Sequence, residues 1–317
     1  FLKNAIEVAV DAISDGNETF IAGIMEHIEE AGIHSGDSAC ALPPQTIDKT
    51  IVDEITMQTM KLAKSLNVIG FINIQFAIQN KKIFILEVNP RGSRTIPFVA
   101  KSTGVPLVKI ASQIMIGKKL SDFKLSNRKI NHISVKEAVF PFARFPGTDV
   151  ILGPEMKSTG EVMGIGLTFG EAFAKSQLGA GINLPLEGKV FISIKDDDKN
   201  SVVPIAKNLK NLGFTICATS GTAKYLNDNK IETQYIKKVI EGRPNAVDAM
   251  LSKEIQLVIN TAEGRNSIKD SFSLRQTALS NKIPYYTTIQ GANAATLAIK
   301  ALKSLKLNIK SLQSYFE

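Results

Sequence analysis

The amino-acid sequence predicts an α+β unit over residues 1–181, followed by an α/β unit with a parallel sheet over residues 187–317. The chain has 317 residues, enough for two domains of ordinary size. Alternating apolar residues at 71–88 are typical of an antiparallel hairpin, whereas after residue 187 short apolar strands are each followed by an amphipathic helix. Residues 179–185 contain glycine and proline, which interrupt helices and strands, and we interpret this segment as the linker.

The composition excludes several classes of protein. Hydrophobic residues make up 44% of the chain, and the net charge of +8 comes from scattered lysines rather than from a dense basic stripe, so we expect no nucleic-acid partner. No apolar run approaches the ~18 residues of a membrane span, so we expect no membrane contact. Cys40 and Cys217 match neither a disulfide framework nor a metal-binding spacing, which favours a cytoplasmic location and two buried thiols.

The first residues alternate in a way that predicts a strand from Phe1 to Ile13, and a helical period follows at residues 51–66. Because the sequence begins without methionine and inside an apolar stretch, we interpret it as a fragment of a longer protein.

Oxygen-bearing side chains gather on the predicted hairpin, whose strands at 71–78 and 83–88 flank a polar turn. Glu87 and Asn89 are two residues apart and therefore share a face, and Gln75 should lie nearly opposite Glu87. One carboxylate flanked by amide oxygens suits Mg²⁺ or Mn²⁺ held together with nucleotide phosphates. Arg91 and Arg94 follow at once and could clamp phosphate oxygens.

These residues carry a resemblance to a known family. The run Ile85-Leu86-Glu87-Val88-Asn89-Pro90-Arg91 resembles the metal-binding strand of the ATP-grasp modules in the carbamoyl-phosphate synthase large subunit. The resemblance continues through the runs at residues 25–29, 34–38, 94–99, 134–137 and 152–164. It covers essentially the whole chain and implies the end of the second ATP-grasp module, which phosphorylates carbamate with ATP as a substrate.

The resemblance assigns roles around the ATP phosphates. It implies that Gln75, Glu87 and Asn89 hold the divalent ions, and that Arg91 and Arg94 steady the phosphoryl group. It further implies that Glu7 binds the ATP ribose and that His34 and Ser35 belong to the nucleotide pocket.

Two more sites follow only from the resemblance. His27 and Glu29 match positions that line a monovalent-cation site for K⁺. Glu29, Asp37, Glu137 and Thr287 match the acidic pocket where ornithine activates bacterial members, at the seam between the two units. A diamino acid presents ammonium groups that carboxylates can pair with.

In the second unit, the strand at residues 214–218 leads through Thr219-Ser220-Gly221-Thr222 into a helix at residues 223–227. A helix N-terminus at the carboxyl end of a parallel strand is a suitable place for an anion, although serine and threonine are also ordinary helix caps. The unit resembles the Rossmann-like, methylglyoxal-synthase-like domain that ends the synthase large subunit and binds UMP or IMP. The matching positions are Lys199, Thr219, Thr222, Lys238 and Asn260. Ala262 stands where a threonine hydroxyl usually helps to hold the phosphate, which places control by UMP in doubt.

The sequence therefore predicts a part of a glutamine-hydrolysing carbamoyl-phosphate synthase that serves pyrimidine and arginine synthesis, with the isolated chain inactive. The implied partners are the rest of the large subunit, the glutaminase small subunit and the effectors UMP, IMP and ornithine. One alternative is a non-catalytic nucleotide-sensing protein. The other is methylglyoxal synthase, which we rank low because Asn260-Thr261-Ala262 offers none of the acidic residues that this lyase needs.

Overall fold

In the computed structural model of this protein, residues 2, 5–125, 130–145, 149–262, 269, 271–304 and 307–316 are described. Seven strands of the first half form one antiparallel sheet: β1 Ile6–Asp15, β2 Thr19–His27, β3 Cys40–Leu42, β4 Ile69–Gln79, β5 Lys82–Asn89, β6 Ile133–Val139 and β7 Gly160–Gly166. Their spatial order is β5-β4-β1-β2-β3-β6-β7. After β3 the chain therefore passes back over β2 and β1 to form β4 and β5, and then returns to form β6 beside β3. The predicted α+β architecture of the first half is confirmed.

Helices cover both faces of this sheet: α1 Lys49–Ser65, α2 Ile96–Thr103, α3 Leu107–Met115 and α4 Phe169–Gly179. Side chains alternate along a strand, so Val8 and Val10 of β1 pack in the core that α1 joins through Ile55. Ala9 and Ile13 point the other way, into the core that contains α2 and α3. The residues of the predicted metal-binding hairpin described below lie on this second face.

Five parallel strands form the second sheet in the order β10-β9-β8-β11-β12, with β8 Lys189–Ser193, β9 Thr215–Ala218, β10 Gln234–Tyr235, β11 Ile255–Asn260 and β12 Tyr285–Tyr286. Its helices are α5 Lys199–Asn211, α6 Ser220–Asp228, α7 Ala246–Leu251, α8 Phe272–Ser280 and α9 Ile289–Ser304. Apolar cores lie on both faces, one with α5, α6 and α9 and the other with α7 and α8. The predicted parallel α/β unit is confirmed.

The two sheets share one apolar core. Val135 and Phe173 from the first half belong to the same buried cluster as Val190 and Ala298 from the second. A Cβ at Gly170 of α4 would lie 2.5 Å from the Leu297 carbonyl oxygen, so α4 and α9 pack backbone against backbone. The proposed boundary at residues 181–187 falls between α4 and β8. The contacts described above show that the two units pack directly against each other.

Several predicted elements begin earlier or later in the structure. The first strand is Ile6–Asp15 rather than Phe1 to Ile13, and Phe1 itself lies outside the described residues. Helix α5 begins at Lys199, so Pro204 lies inside it. Proline has no N–H, so Pro204 cannot donate to the Asn200 carbonyl as other residues of a helix interior do.

No helix in the described part of the chain is both long and apolar enough to cross a bilayer. Cys40 and Cys217 are free and buried, as predicted.

Candidate functional site

The hairpin β4–β5 places three predicted metal ligands on one face. Its turn residues Asn80 and Lys81 both have positive φ, at 50° and 62°, which matches the right-handed twist of a tight hairpin. Gln75 is directly opposite Glu87, and a bulge at Gln75/Phe76 follows this pair. The predicted pairing of Gln75 with Glu87 is therefore confirmed, and Asn89 lies on the same face, opposite Asn73.

A cavity of about 260 Å³ opens on this face. Seven residues predicted to contact ATP or its metal ions line it: His34, Ser35, Gln75, Glu87, Asn89, Arg91 and Arg94. Arg91 Nη2 donates to Asn89 Oδ1 at 3.3 Å, so the first arginine lies beside the amide ligand. Across the described residues, no group of three or more His, Cys, Asp or Glu side chains is placed to hold a metal ion, in keeping with a donor set of one carboxylate and two amides.

Asp11 organises the turn after the metal strand, and the sequence did not single it out. Its carboxylate is fully buried and accepts hydrogen bonds from Asn73 Nδ2 at 2.8 Å, Ser93 Oγ at 2.7 Å and Thr95 Oγ1 at 2.5 Å. Burial raises the pKa of Asp11, while these three donors lower it. The position of Asp11 within the otherwise apolar residues 8–13 was the available signal, because buried carboxylates require partners.

Glu7 and His27 lie side by side, away from the lining of this cavity. Glu7 Oε2 accepts from the Gly32 amide at 3.2 Å, and Glu7 Oε1 lies 3.5 Å from His27 Nδ1. Burial and the Lys136 charge lower the pKa of His27 to about 3, so its imidazole is neutral. His27 Nδ1 makes no hydrogen bond to any described residue. Burial, together with the charge of Glu87, raises the pKa of Glu7.

Lys136 and Glu161 also line the cavity, although the sequence analysis gave neither a role. The Lys136 side chain is 1% exposed, and its Nζ donates to the Ser35 carbonyl at 3.1 Å and lies 3.8 Å from Glu161 Oε2. A buried lysine needs such partners, so Lys136 fixes the loop that carries His34 and Ser35.

The predicted acidic pocket contains two carboxylates that interact. Glu137 Oε2 accepts from Gln177 Nε2 at 2.5 Å, and the Tyr286 hydroxyl donates to Gln177 Oε1 at 3.0 Å. Burial and the charge of Glu29 raise the pKa of Glu137 to about 8, and burial raises the pKa of Glu29 to about 7. The charge of Glu29 therefore acts on the Glu137 carboxyl group.

The other two residues assigned to this pocket are placed differently. Asp37 accepts from the Lys157 and Ser158 amides, at 2.8 and 2.9 Å. Thr287 lines a neighbouring cavity of about 270 Å³, whereas Thr288 Oγ1 donates to Glu29 Oε2 at 3.4 Å. The hydroxyl beside the glutamates thus comes from Thr288, one residue along the chain.

The raised pKa values predict a pH-dependent stability. A glutamate in the unfolded chain ionises near pH 4.3, so between about pH 4.3 and 8 the folded chain retains protons that the unfolded chain has lost. The stabilising contribution is complete below that range and is lost as the pH rises through it. Thermal melting from about pH 5 to 8.5 should therefore show a falling melting temperature.

Glu137→Gln should make this decline shallower, because it removes one carboxyl group whose pKa is raised. Glu232→Gln, which changes an exposed carboxylate paired with Lys210, serves as the control and should leave the slope unchanged. Equal slopes for the parent chain and Glu137→Gln would contradict the raised pKa of Glu137.

A second cavity, of about 450 Å³, lies at the carboxyl ends of strands β8, β9 and β11. All five residues predicted to bind a nucleotide effector line it: Lys199, Thr219, Thr222, Lys238 and Asn260. Ligands of parallel α/β sheets bind at this edge, and the first turn of α6, with Gly221, contributes to the lining.

Several hydroxyl groups around this cavity already have partners. Thr222 Oγ1 accepts from the Ile194 amide at 3.2 Å, and Thr261 Oγ1 accepts from the Lys195 amide at 3.1 Å. Lys199 Nζ lies 2.7 Å from Asp196 Oδ1, which partly neutralises it. Ala262 lines the 270 Å³ cavity at the seam and is not among the residues that line the second cavity.

Comparison with known proteins agrees with this geometry. Residues 1–123 match the family model "Carbamoyl-phosphate synthase L chain, ATP binding domain", and residues 201–287 match the model "MGS-like domain". A carbamoyl phosphate synthase large chain from Rhizobium meliloti is 55% identical over 100% of this chain and 28% of its own length. The large chain from Myxococcus xanthus is 53% identical over 99% of this chain and 29% of its own length. The large chain from Archaeoglobus fulgidus is 51% identical over 100% of this chain and 30% of its own length.

The chain thus spans less than a third of the length of these relatives. Among solved structures, a biotin carboxylase domain of a single-chain bacterial carboxylase superposes with a TM-score of 0.46 at 12% identity, over 56% of this chain and 48% of that chain. This structural similarity is weak. The resemblance to the synthase large subunit is confirmed by the relatives and family models. Over residues 1–123 this chain is similar to carbamoyl-phosphate synthase L chain ATP-binding domains, and over residues 201–287 it is similar to MGS-like domains.

Proposed function

We propose that this chain supplies the metal-binding and phosphate-binding part of the site where a carbamoyl-phosphate synthase phosphorylates carbamate with ATP. The observation that carries the proposal is the cavity in which Glu87, two amide side chains and two arginines meet. In this reaction a carbamate oxygen takes the terminal phosphoryl group of ATP and ADP leaves. We place the reaction in a cytoplasmic, glutamine-hydrolysing enzyme of pyrimidine and arginine synthesis.

The donor set fits a divalent cation. Glu87 supplies one charge, and Gln75 and Asn89 supply neutral oxygens, which leaves positions for phosphate oxygens on Mg²⁺ or Mn²⁺. When bound, such an ion would neutralise charge on the ATP phosphates. Arg91 and Arg94 would steady the transferred group, since phosphoryl transfer depends mainly on positioning and electrostatics. His34 and Ser35 would contact the nucleotide, and Glu7 would contact its ribose once the rest of the protein completes the site.

Two small cationic ligands fit the buried carboxylates. We assign K⁺ to His27 and Glu29, because a neutral imidazole with an unpartnered Nδ1 does not repel a cation. We assign ornithine to Glu29, Asp37, Glu137 and Thr287. The raised pKa values of Glu29 and Glu137 support this assignment, because an ammonium group would favour the ionised forms of both carboxyl groups.

The second cavity is proposed to bind UMP or IMP as an allosteric effector. Its support is the convergence of Lys199, Lys238 and Asn260 with the N-terminus of α6 on a cavity large enough for a nucleotide. We therefore propose that residues 1–181 act in catalysis and residues 187–317 in regulation. The proposed partners are the remainder of the large subunit and the glutaminase small subunit.

The test compares a full-length large chain that ends in this segment with the 317-residue chain alone. The full-length protein should form ATP from carbamoyl phosphate and ADP in the presence of Mg²⁺, and UMP or IMP should change its rate. The isolated chain should show no turnover. Effector binding by a full-length protein without turnover would favour a non-catalytic nucleotide sensor instead.

A further inference from the structure

An ion pair between a buried arginine and a partly exposed aspartate joins the two halves of the protein across the seam. Arg275 of α8 donates from Nε to Asp149 Oδ1 at 2.6 Å and from Nη2 to Asp149 Oδ2 at 2.5 Å. The Arg275 side chain is only 1% exposed, and its partner lies 126 residues away in the chain. Two parallel hydrogen bonds fix both the distance and the angle between the groups, so this contact is more specific than a single salt bridge.

On one side, Arg275 leads to the cavity proposed to bind a nucleotide. The Arg275 guanidinium forms a side-chain hydrogen bond with Tyr285. Asn260 Nδ2 in turn donates to the Tyr285 hydroxyl at 2.6 Å, and Asn260 lines that cavity. A ligand that binds the Asn260 amide therefore competes with, or reorients, the hydrogen bond between Asn260 and Tyr285. Tyr285 is bonded to Arg275, which in turn binds Asp149.

On the other side, Asp149 begins the segment 149–158. Lys157 Nζ donates to the Asp149 carbonyl at 3.3 Å and to the Ile151 carbonyl at 2.6 Å, which closes the segment into a compact loop. The Lys157 and Ser158 amides donate to the Asp37 carboxylate, at 2.8 and 2.9 Å. The segment is thus bonded to Arg275 at its first residue and to Asp37 at its last two.

The same segment holds the loop 34–38. The His34 amide donates to the Gly153 carbonyl at 2.8 Å, and the Asp37 amide donates to the His34 carbonyl at 2.8 Å. His34, Ser35 and Gly36 line the cavity that contains Glu87 and Asn89. An unbroken series of side-chain and backbone hydrogen bonds therefore connects the two cavities through Arg275 and Asp149.

We propose that Arg275 and Asp149 are a positioning pair, through which the second unit sets the conformation of the loop 34–38 in the proposed ATP cavity. A role of this pair in regulation by an effector rests on the proposed function. The effect of the pair on the position of the loop 34–38 can be measured whether or not that function holds. A buried charge that loses its partner is strongly disfavoured, so movement of Arg275 draws Asp149 and its segment with it.

The first experiment measures amide hydrogen exchange in the 317-residue chain. Asp149→Asn keeps the size of the side chain and removes its charge. We expect the amides of His34, Asp37 and Ser158 to exchange at least about fivefold faster, while those of β1 and β8 stay within about twofold of the parent. Glu232→Gln breaks an exposed ion pair within the second unit, and should change none of these amides. A merely structural role would instead raise exchange throughout the chain.

If Asp149→Asn fails to fold, Arg275→Lys provides a milder variant, since lysine keeps the charge and loses the two-point geometry. Unchanged exchange at His34, Asp37 and Ser158 in a folded variant would overturn the proposal. In a full-length large chain, Asp149→Asn should raise the half-saturating ATP concentration several-fold and leave kcat within about twofold. If the full-length parent shows no turnover, the proposed function is refuted. The hydrogen-exchange result would then still test whether Arg275 and Asp149 position the loop 34–38.

Discussion

Glu87→Gln, introduced into a full-length large chain that carries this segment, is expected to lower kcat by about 10²-fold or more, comparable to the loss of one transition-state electrostatic contact. Glutamine preserves the shape of the side chain and its pairing opposite Gln75, so the hairpin should keep its register. It removes the only carboxylate among the three predicted metal ligands. The charge that would hold the metal ions, which in turn would neutralise the ATP phosphates, is then lost.

Steady-state formation of ATP from carbamoyl phosphate and ADP at saturating Mg²⁺ measures this effect. Asp53→Asn is the matched control, because Asp53 is exposed on α1, the helix that covers the opposite face of the same sheet. The control should retain the parent rate. A kcat for Glu87→Gln within a few-fold of the parent would show that Glu87 is an ordinary polar strand residue.

Gly164→Ala is expected to destabilise the chain by about 3 kcal/mol or more, at the upper end of the cost of overpacking. Gly164 lies on β7, where α4 crosses the strand. A Cβ at this position would come within 2.0 Å of the Ala172 carbonyl oxygen and 2.4 Å of the Ser176 amide nitrogen. Both obstructing atoms belong to the backbone, so no rotamer change can relieve the overlap, and the helix itself must move.

Gly160→Ala on the same strand is the control, since a Cβ there meets no atom within 4 Å. Urea or thermal unfolding of the 317-residue chain should show a change within about 1 kcal/mol for Gly160→Ala. Because α4 also packs against α9, Gly164→Ala should weaken both halves in one transition. A Gly164→Ala variant as stable as the control would mean that α4 is free to shift.

Local patterns in the sequence determined the metal hairpin and the parallel unit. Strand alternation and a polar turn are short-range properties, so they predicted that Gln75 and Glu87 would pair and that Asn89 would share their face. The βα repeats similarly predicted the parallel second sheet, with its first helical turns at the carboxyl ends of the strands. The assignments of individual ligands depended instead on the resemblance to a family, because spacing alone names no substrate.

The tertiary structure alone decided how these parts meet. Asp11 gains its three donors from strands and turns far along the chain, and Arg275 reaches Asp149 across 126 residues. The seam places Thr288 beside Glu29, and Ala262 lines the cavity there. Periodicity reports which face of one element is apolar, but it does not report which elements share that face. These contacts are set by packing of the common core, whose geometry arises only when both sheets are folded against each other.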